Sequence, residues 1–166
     1  MRIVDHRYGR VAATYGQPSR DNGYFVPVLP KTDFVFDGRV NSPVAAQEFP
    51  VAVGIDSSSW VSAVLLVRVH AKLPTWLGVS SLTVNVDNIM LVPEEPDVIF
   101  APNPLAPIAT SPNLGLTTVL PGSLYVVNFT APIGPQLRVR LSYLTTTAGA
   151  SANTISLGID LVGRPA

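Results

Sequence analysis

The strongest pattern of apolar and polar positions lies in residues 60–72, WVSAVLLVRVHAK. Its odd positions, Val61, Ala63, Leu65, Val67, Val69 and Ala71, are apolar without a break. Its even positions begin apolar (Trp60, Val64, Leu66) and end polar (Arg68, His70, Lys72). Side chains alternate across a strand. The pattern therefore predicts a long central strand whose odd face lies in a core throughout. Its even face is covered at one end and meets water or a partner at the other. The β-branched valines oppose a helix and suit a pleated surface.

Other stretches repeat the period of two. Residues 34–40 and 49–53 predict two strands before the central one, and LPTWLG at 73–78 predicts the turn after it. Over 79–86, Leu82, Val84 and Val86 alternate with Ser81, Thr83 and Asn85. Residues 89–92 are apolar on both faces, either a continuation past a bulge or a separate short strand. Six prolines between 93 and 112 predict a long connection with at most a brief edge strand at 97–101, since proline has no ladder donor. Strands follow at 116–120 and 124–130, parted by a Pro-Gly-Ser turn.

The final two strands are clear. Residues 136–144 set Leu137, Val139, Leu141 and Tyr143 against Gln136, Arg138, Arg140 and Ser142. Residues 153–162 place Ile155, Leu157, Ile159 and Leu161 inward, and the loop TTTAGASA is expected to join the two as an antiparallel hairpin. With almost no helical period, the fold class is all-β. It is an antiparallel β-sandwich, a jelly roll being the expected variety, over residues 34–166.

Residues 1–33 differ. They hold Arg2, Arg7, Arg10, Arg20 and Lys31, acids at Asp5, Asp21 and Asp33, and interruptions at Gly9, Gly16, Pro18, Gly23, Pro27 and Pro30. Tyr8, Tyr15, Tyr24 and Phe25 stand among them as aromatic anchors. The segment reads either as an extended N-terminal arm that docks on another surface or as a strand or two added to the domain's edge. As an arm it would be an assembly element.

Composition adds a constraint. The chain has 166 residues, enough for one domain that buries about 70% of its unfolded surface. Apolar residues make up 47% but charged residues only 13%, about half the usual share. Such a surface is either packed against other subunits or solvated by Ser, Thr and Asn. The formal net charge is zero, so nothing general favours nucleic acid or an anionic membrane as partner. Without cysteine, disulfides and thiolate metal sites are excluded. The first ten residues, MRIVDHRYGR, lack a signal-peptide core, and no apolar run reaches the ~20 residues of a membrane helix. Synthesis in the cytoplasm is expected.

No catalytic constellation stands out. The two histidines are His6 and His70, and the latter shares its face with Arg68 and Lys72, which disfavours its charged form. No nucleophile elbow, H-x-x-x-H or phosphate loop occurs. Glu94, Glu95 and Asp97 lack the spacing of a calcium loop and read as a solvated turn. Asn128–Phe129–Thr130 matches a glycosylation acceptor by chance. Trp60, Trp76 and Tyr125 leave open a carbohydrate-binding module that stacks aromatics on sugar rings, with Trp76 the better placed. No enzyme activity and no cofactor are expected.

Two stretches resemble a known type. WVSAVLLVRVHAK and RVRLSYLTTTAGASANTISLGIDLVGR are similar to the long strand and closing hairpin of small β-sandwich virion structural proteins of tailed bacteriophages. The latter stretch has their sequence of strand, small polar loop and strand ending in L-V-G-R. The resemblance implies a non-enzymatic capsid decoration or minor capsid protein, or a neck or tail component, located in the virion and assembled in the bacterial cytoplasm. Its implied partners are further copies of itself, trimers being common among decorators, and the major capsid protein or other virion subunits. Neither nucleic acid nor membrane is implied. Tyr8, Tyr15, Tyr24, Phe25, Arg68 and His70 are the candidates for assembly interfaces.

Overall fold

The computed structural model describes residues 2–3, 17–18, 24–37, 47–72, 79–92, 95–100, 107–145 and 152–165. They form eleven strands and no helix among the described residues. In chain order these are β1 (Arg2–Ile3), β2 (Gln17–Pro18), β3 (Tyr24–Asp37), β4 (Gln47–Asp56), β5 (Trp60–Lys72) and β6 (Val79–Val92). They are followed by β7 (Glu95–Phe100), β8 (Ala109–Thr110), β9 (Leu124–Asn128), β10 (Gln136–Thr145) and β11 (Ala152–Pro165).

Two antiparallel sheets share the strands. The first runs β1-β3-β11-β5-β9, with β2 also on β3; the second runs β4-β10-β6-β7, with β8 also on β6. Inward rows from both sheets form one core. Leu65, Val67, Val69, Ile155, Leu157, Ile159, Leu161 and Phe34 come from the first, and Leu82, Val84, Val86, Leu137, Val139, Leu141 and Ile55 from the second. These are the rows that period-two patterning marks as inward, and the two sheets make a β-sandwich.

The central strand has the expected bounds, but its odd face is not continuous. Val61 and Ala71 are exposed, while Trp60 is buried. Two register shifts explain this: Arg164 and Pro165 of β11 face Ser62 and Trp60, and Ser156 and Leu157 face Ala71 and Val69. Each leaves one β5 residue unpaired, Val61 and His70, and reverses the alternation beyond it. At the near end the indole turns inward over Gly163, where a Cβ would lie 2.2 Å from the ring. The glycine of the L-V-G-R stretch is thus the slot that admits Trp60. At the far end Lys72 donates through Nζ to the carbonyls of Leu114 (3.1 Å) and Leu116.

Three expectations need correction. The last two strands are not a hairpin: β10 pairs with β4 and β6, β11 with β3 and β5, so their connection passes between sheets. Residues 116–120 are a turn, closed by Val119 N–H to the carbonyl of Leu116 (3.1 Å). The boundary between residues 33 and 34 falls inside β3, in which Val26, Val28 and Leu29 are buried; 24–33 is sheet and not arm. Proline hid this strand. Pro27 and Pro30 lie at register shifts against β11, where among the described residues no strand pairs on the other side of β3, a position that needs no donor. Residues 79–92 form one strand rather than two.

Substituting Leu65→Asp buries an unpaired carboxylate and is expected to abolish soluble folding. Val61→Asp, on the same odd set but 65% exposed, is expected to fold with a normal melting transition. Gly163→Ala forces the indole aside and is expected to lower stability by about 1–3 kcal/mol in urea unfolding.

Candidate assembly surface

The outward faces of the two sheets differ in chemistry. On the second sheet, Asp87 of β6 stands beside Arg138 and Arg140 of β10. Arg138 donates through Nε and NH2 (3.1 and 2.9 Å) and Arg140 through Nε (2.6 Å) to one carboxylate oxygen of Asp87. Arg140 NH2 reaches the other oxygen (3.2 Å), and its NH1 pairs with Glu48 of β4. Asp87 is almost wholly buried beneath the two guanidinium groups. The hydrogen bond that Arg140 donates to Asp87 leads the influences that hold its guanidinium above its ordinary pKa. Within this cluster the charges balance, two acids against two bases.

The first sheet presents a largely apolar face. Across the strands, Phe25 is opposite Val162, Val162 opposite Val64, and Leu66 opposite Val126. Val64, Leu66 and Val162 are half-buried, and Phe25 and Val126 are exposed. Polar residues flank it at both ends, with Ser62 and Arg164 exposed opposite each other at one and Arg68, His70 and Asp160 toward the other. Arg68 is exposed opposite Gly158, and His70 lies against that glycine, its Nε2 3.0 Å from where a Cβ would stand. Asp160, opposite Leu66, is half-buried; burial pushes its carboxyl pKa up, while the charges of Arg68 and His70 pull it partly back. Further along β11, the Ser156 hydroxyl is buried without a hydrogen-bond partner among the described residues.

Of the interface candidates, Phe25, Arg68 and His70 share this outer face. Tyr24 packs against the core instead. Tyr8 and Tyr15 lie outside the described residues, as do His6, Trp76 and Glu94. Residues 95–100 run as β7, which matches the edge strand expected at 97–101 and replaces the solvated turn read at Glu95 and Asp97. Trp60 is in the core and Tyr125 packs partly against it, so neither offers a free ring face for a sugar. Among the described residues no cluster of His, Cys, Asp and Glu has the makings of a metal site.

The patterning overlooked a second group. Leu116, Leu120, Leu124 and Val126 are 51%, 63%, 49% and 60% exposed, and all fall within residues 116–126. One signal was visible: LYVVN, the whole of β9, has no charge on either face.

No protein-family model matches the chain, and no curated protein is similar to it. A solved structure with a similar course of strands is that titled "Structure of infectious bursal disease virus Gx strain". The overlap has a TM-score of 0.43 at 13% identity and covers 84% of this chain but only 30% of the other. Likeness of that degree is too low to carry a functional conclusion.

Asp160 gives a test of its polar end. Its native pKa is raised above the ordinary 3.8, so the folded state favours the proton. That stabilisation is complete below 3.8 and is lost as pH rises through the native value. Asp160→Asn is therefore expected to melt above the wild type at pH 7. The gap is expected to close as pH falls below about 4 in thermal scans; a constant gap across pH would show that the carboxyl is not the cause.

Proposed function

We propose that this chain is a non-enzymatic structural subunit of a virus particle, a jelly-roll building block that works through protein–protein contacts. The observation that carries this reading is the strand order. The sets β3-β11-β5-β9 and β4-β10-β6-β7 interleave as two intertwined Greek keys do, the arrangement of jelly rolls, which include capsid and lectin domains. Fold alone does not decide function. The surface favours a capsid role over a lectin-like one, because its open chemistry is apolar sheet and edge rather than stacked aromatics around a pocket.

Within that role, the resemblance of residues 60–72 and 138–164 points to the tailed bacteriophages, and to a capsid decoration or minor capsid protein bound to the shell. Self-association and contact with the major capsid protein explain a chain in which only 13% of residues are charged. The virion is then its location, with assembly in the host cytoplasm. Residues 1–23, with Tyr8 and Tyr15, are the docking arm, pinned to the margin of β3 at Arg2–Ile3 and Gln17–Pro18 and shortened by the ten residues that belong to β3.

Mass spectrometry of purified particles is expected to find the chain in many copies; its absence from particles would sink the reading. Deleting residues 1–23 removes the two-residue pairings of β1 and β2 on the margin of β3, and is expected to lower the melting transition only slightly while weakening particle attachment. Deletion of 1–30 should unfold the protein, since it removes Val26, Val28 and Leu29 from the core. Full attachment by the shorter deletion would remove the arm's role.

A further inference from the structure

The strands that end or border the sheets are guarded, with one exception. Along β6, residues 108–114 seal the backbone: Ile108, Ser111 and Leu114 N–H groups donate to the carbonyls of Val86, Val84 and Leu82 (2.8, 2.9 and 2.7 Å). Ser111 Oγ and Asn113 Oδ1 accept in turn from the Val84 and Leu82 N–H groups. At the sheet margins, β4 carries Pro50, β7 carries Glu95, Pro96 and Asp97, and β3 carries Pro27 and Pro30. Proline, charge and covering loops are the means by which proteins keep sheet edges from pairing with other chains. β9 has neither proline nor charge, and among the described residues no strand lies beyond it.

Its hydrogen-bonding phase is fixed. Val69 N–H donates to the Ser123 carbonyl (2.9 Å) and Phe129 N–H to the Ala63 carbonyl (3.1 Å). The odd residues 123–129 thus face β5, and Leu124, Val126 and Asn128 direct their N–H and C=O groups away from it. We infer that this edge pairs with the same edge of a second copy, antiparallel, about a two-fold axis at Val126. In that register Val126 meets Val126, and Leu124 meets Asn128 in both directions. All three pairs can exchange both main-chain bonds.

The occupant follows from self-complementarity. The strand has no charge, so a two-fold brings no like charges opposite each other. On the inner side, Tyr125 of one copy comes opposite Val127 of the other; both are half-buried here and packed against the core, which would continue across the pair. The contact is confined to β9 itself, since just past it the Thr130 N–H already donates to the Ile108 carbonyl of its own subunit (2.9 Å). A two-fold contact of this kind is isologous and closes on itself. It deepens the reading of the chain as a self-assembling subunit and rests on it only for the expectation of a second copy.

The absence of native cysteine makes the test clean. Val126→Cys places two thiols in a bonded pair, with Cα atoms about 5.5 Å apart, within disulfide reach. Leu124→Cys places its own thiols about 14 Å apart along the strands, beyond the ~7 Å limit. The purified, otherwise native chain is expected to sediment as a dimer. Under mild oxidation Val126→Cys should become covalently dimeric, Leu124→Cys should remain monomeric on a denaturing gel, and Leu124→Cys mixed with Asn128→Cys should form the heterodimer. Val126→Lys is expected to sediment as a folded monomer. The inference is overturned by a monomeric wild type, by equal cross-linking of Leu124→Cys and Val126→Cys, or by an oligomer that Val126→Lys leaves intact. A chain found in particles but failing these tests refutes the edge contact alone. A soluble dimer that passes them but is missing from particles refutes the virion role alone.

Discussion

Both sheets depend on strands that come last in the chain. In the first sheet β3 and β5 do not pair with each other; β11 lies between them and bonds to both along most of its length. In the second, β10 holds the same place between β4 and β6. Until residues 136–165 arrive, the earlier strands have no continuous sheet to join. The inward rows that these strands supply, Leu137, Val139 and Leu141 with Ile155, Leu157, Ile159 and Leu161, are wholly buried at the middle of the core. A fold built this way is dominated by contacts distant in sequence. Loop closure must precede their reward, which favours slow, cooperative folding.

That dependence explains what the sequence could and could not reveal. Alternation is a local property, so the inward faces of β5, β6, β10 and β11 could be read directly. Pairing is not local. Strands 136–145 and 152–165 look like a hairpin because a short polar loop joins two well-patterned strands, yet each is drawn to a different sheet where two neighbours await it. Likewise β3 was masked by Pro27 and Pro30, which are breakers in an inner strand but not along a margin with register shifts. The ends of β5 failed for a related reason: bulges depend on the partner strand, and one extra residue turns Val61 outward and Trp60 inward.

The surface was harder to read than the core. Phe25, Arg68 and His70 could be nominated from composition and strand phase, and they do lie on one face. The exposed run of Leu116, Leu120, Leu124 and Val126 could not, because an apolar residue's exposure is decided by which strands flank it. The Asp87 cluster shows the converse. Arg138 and Arg140 read as solvated outward positions, yet both lean on a buried carboxylate 51 and 53 residues distant in sequence.

The two outer faces therefore have different demands. On the second sheet, the guanidinium groups of Arg138 and Arg140 neutralise Asp87 and shield it, and Arg140 also engages Glu48, so its polar groups are satisfied within the subunit. Taking that face out of water against another protein would strip hydration from four charges already paired, with little left to gain. On the first sheet and along β9, exposed aliphatic groups remain, and among the described residues no strand takes up the outer main-chain groups of β9, so covering them gains apolar burial as well as ladder bonds. A subunit with one self-sufficient face and one open face and edge has a preferred direction in which to add a neighbour.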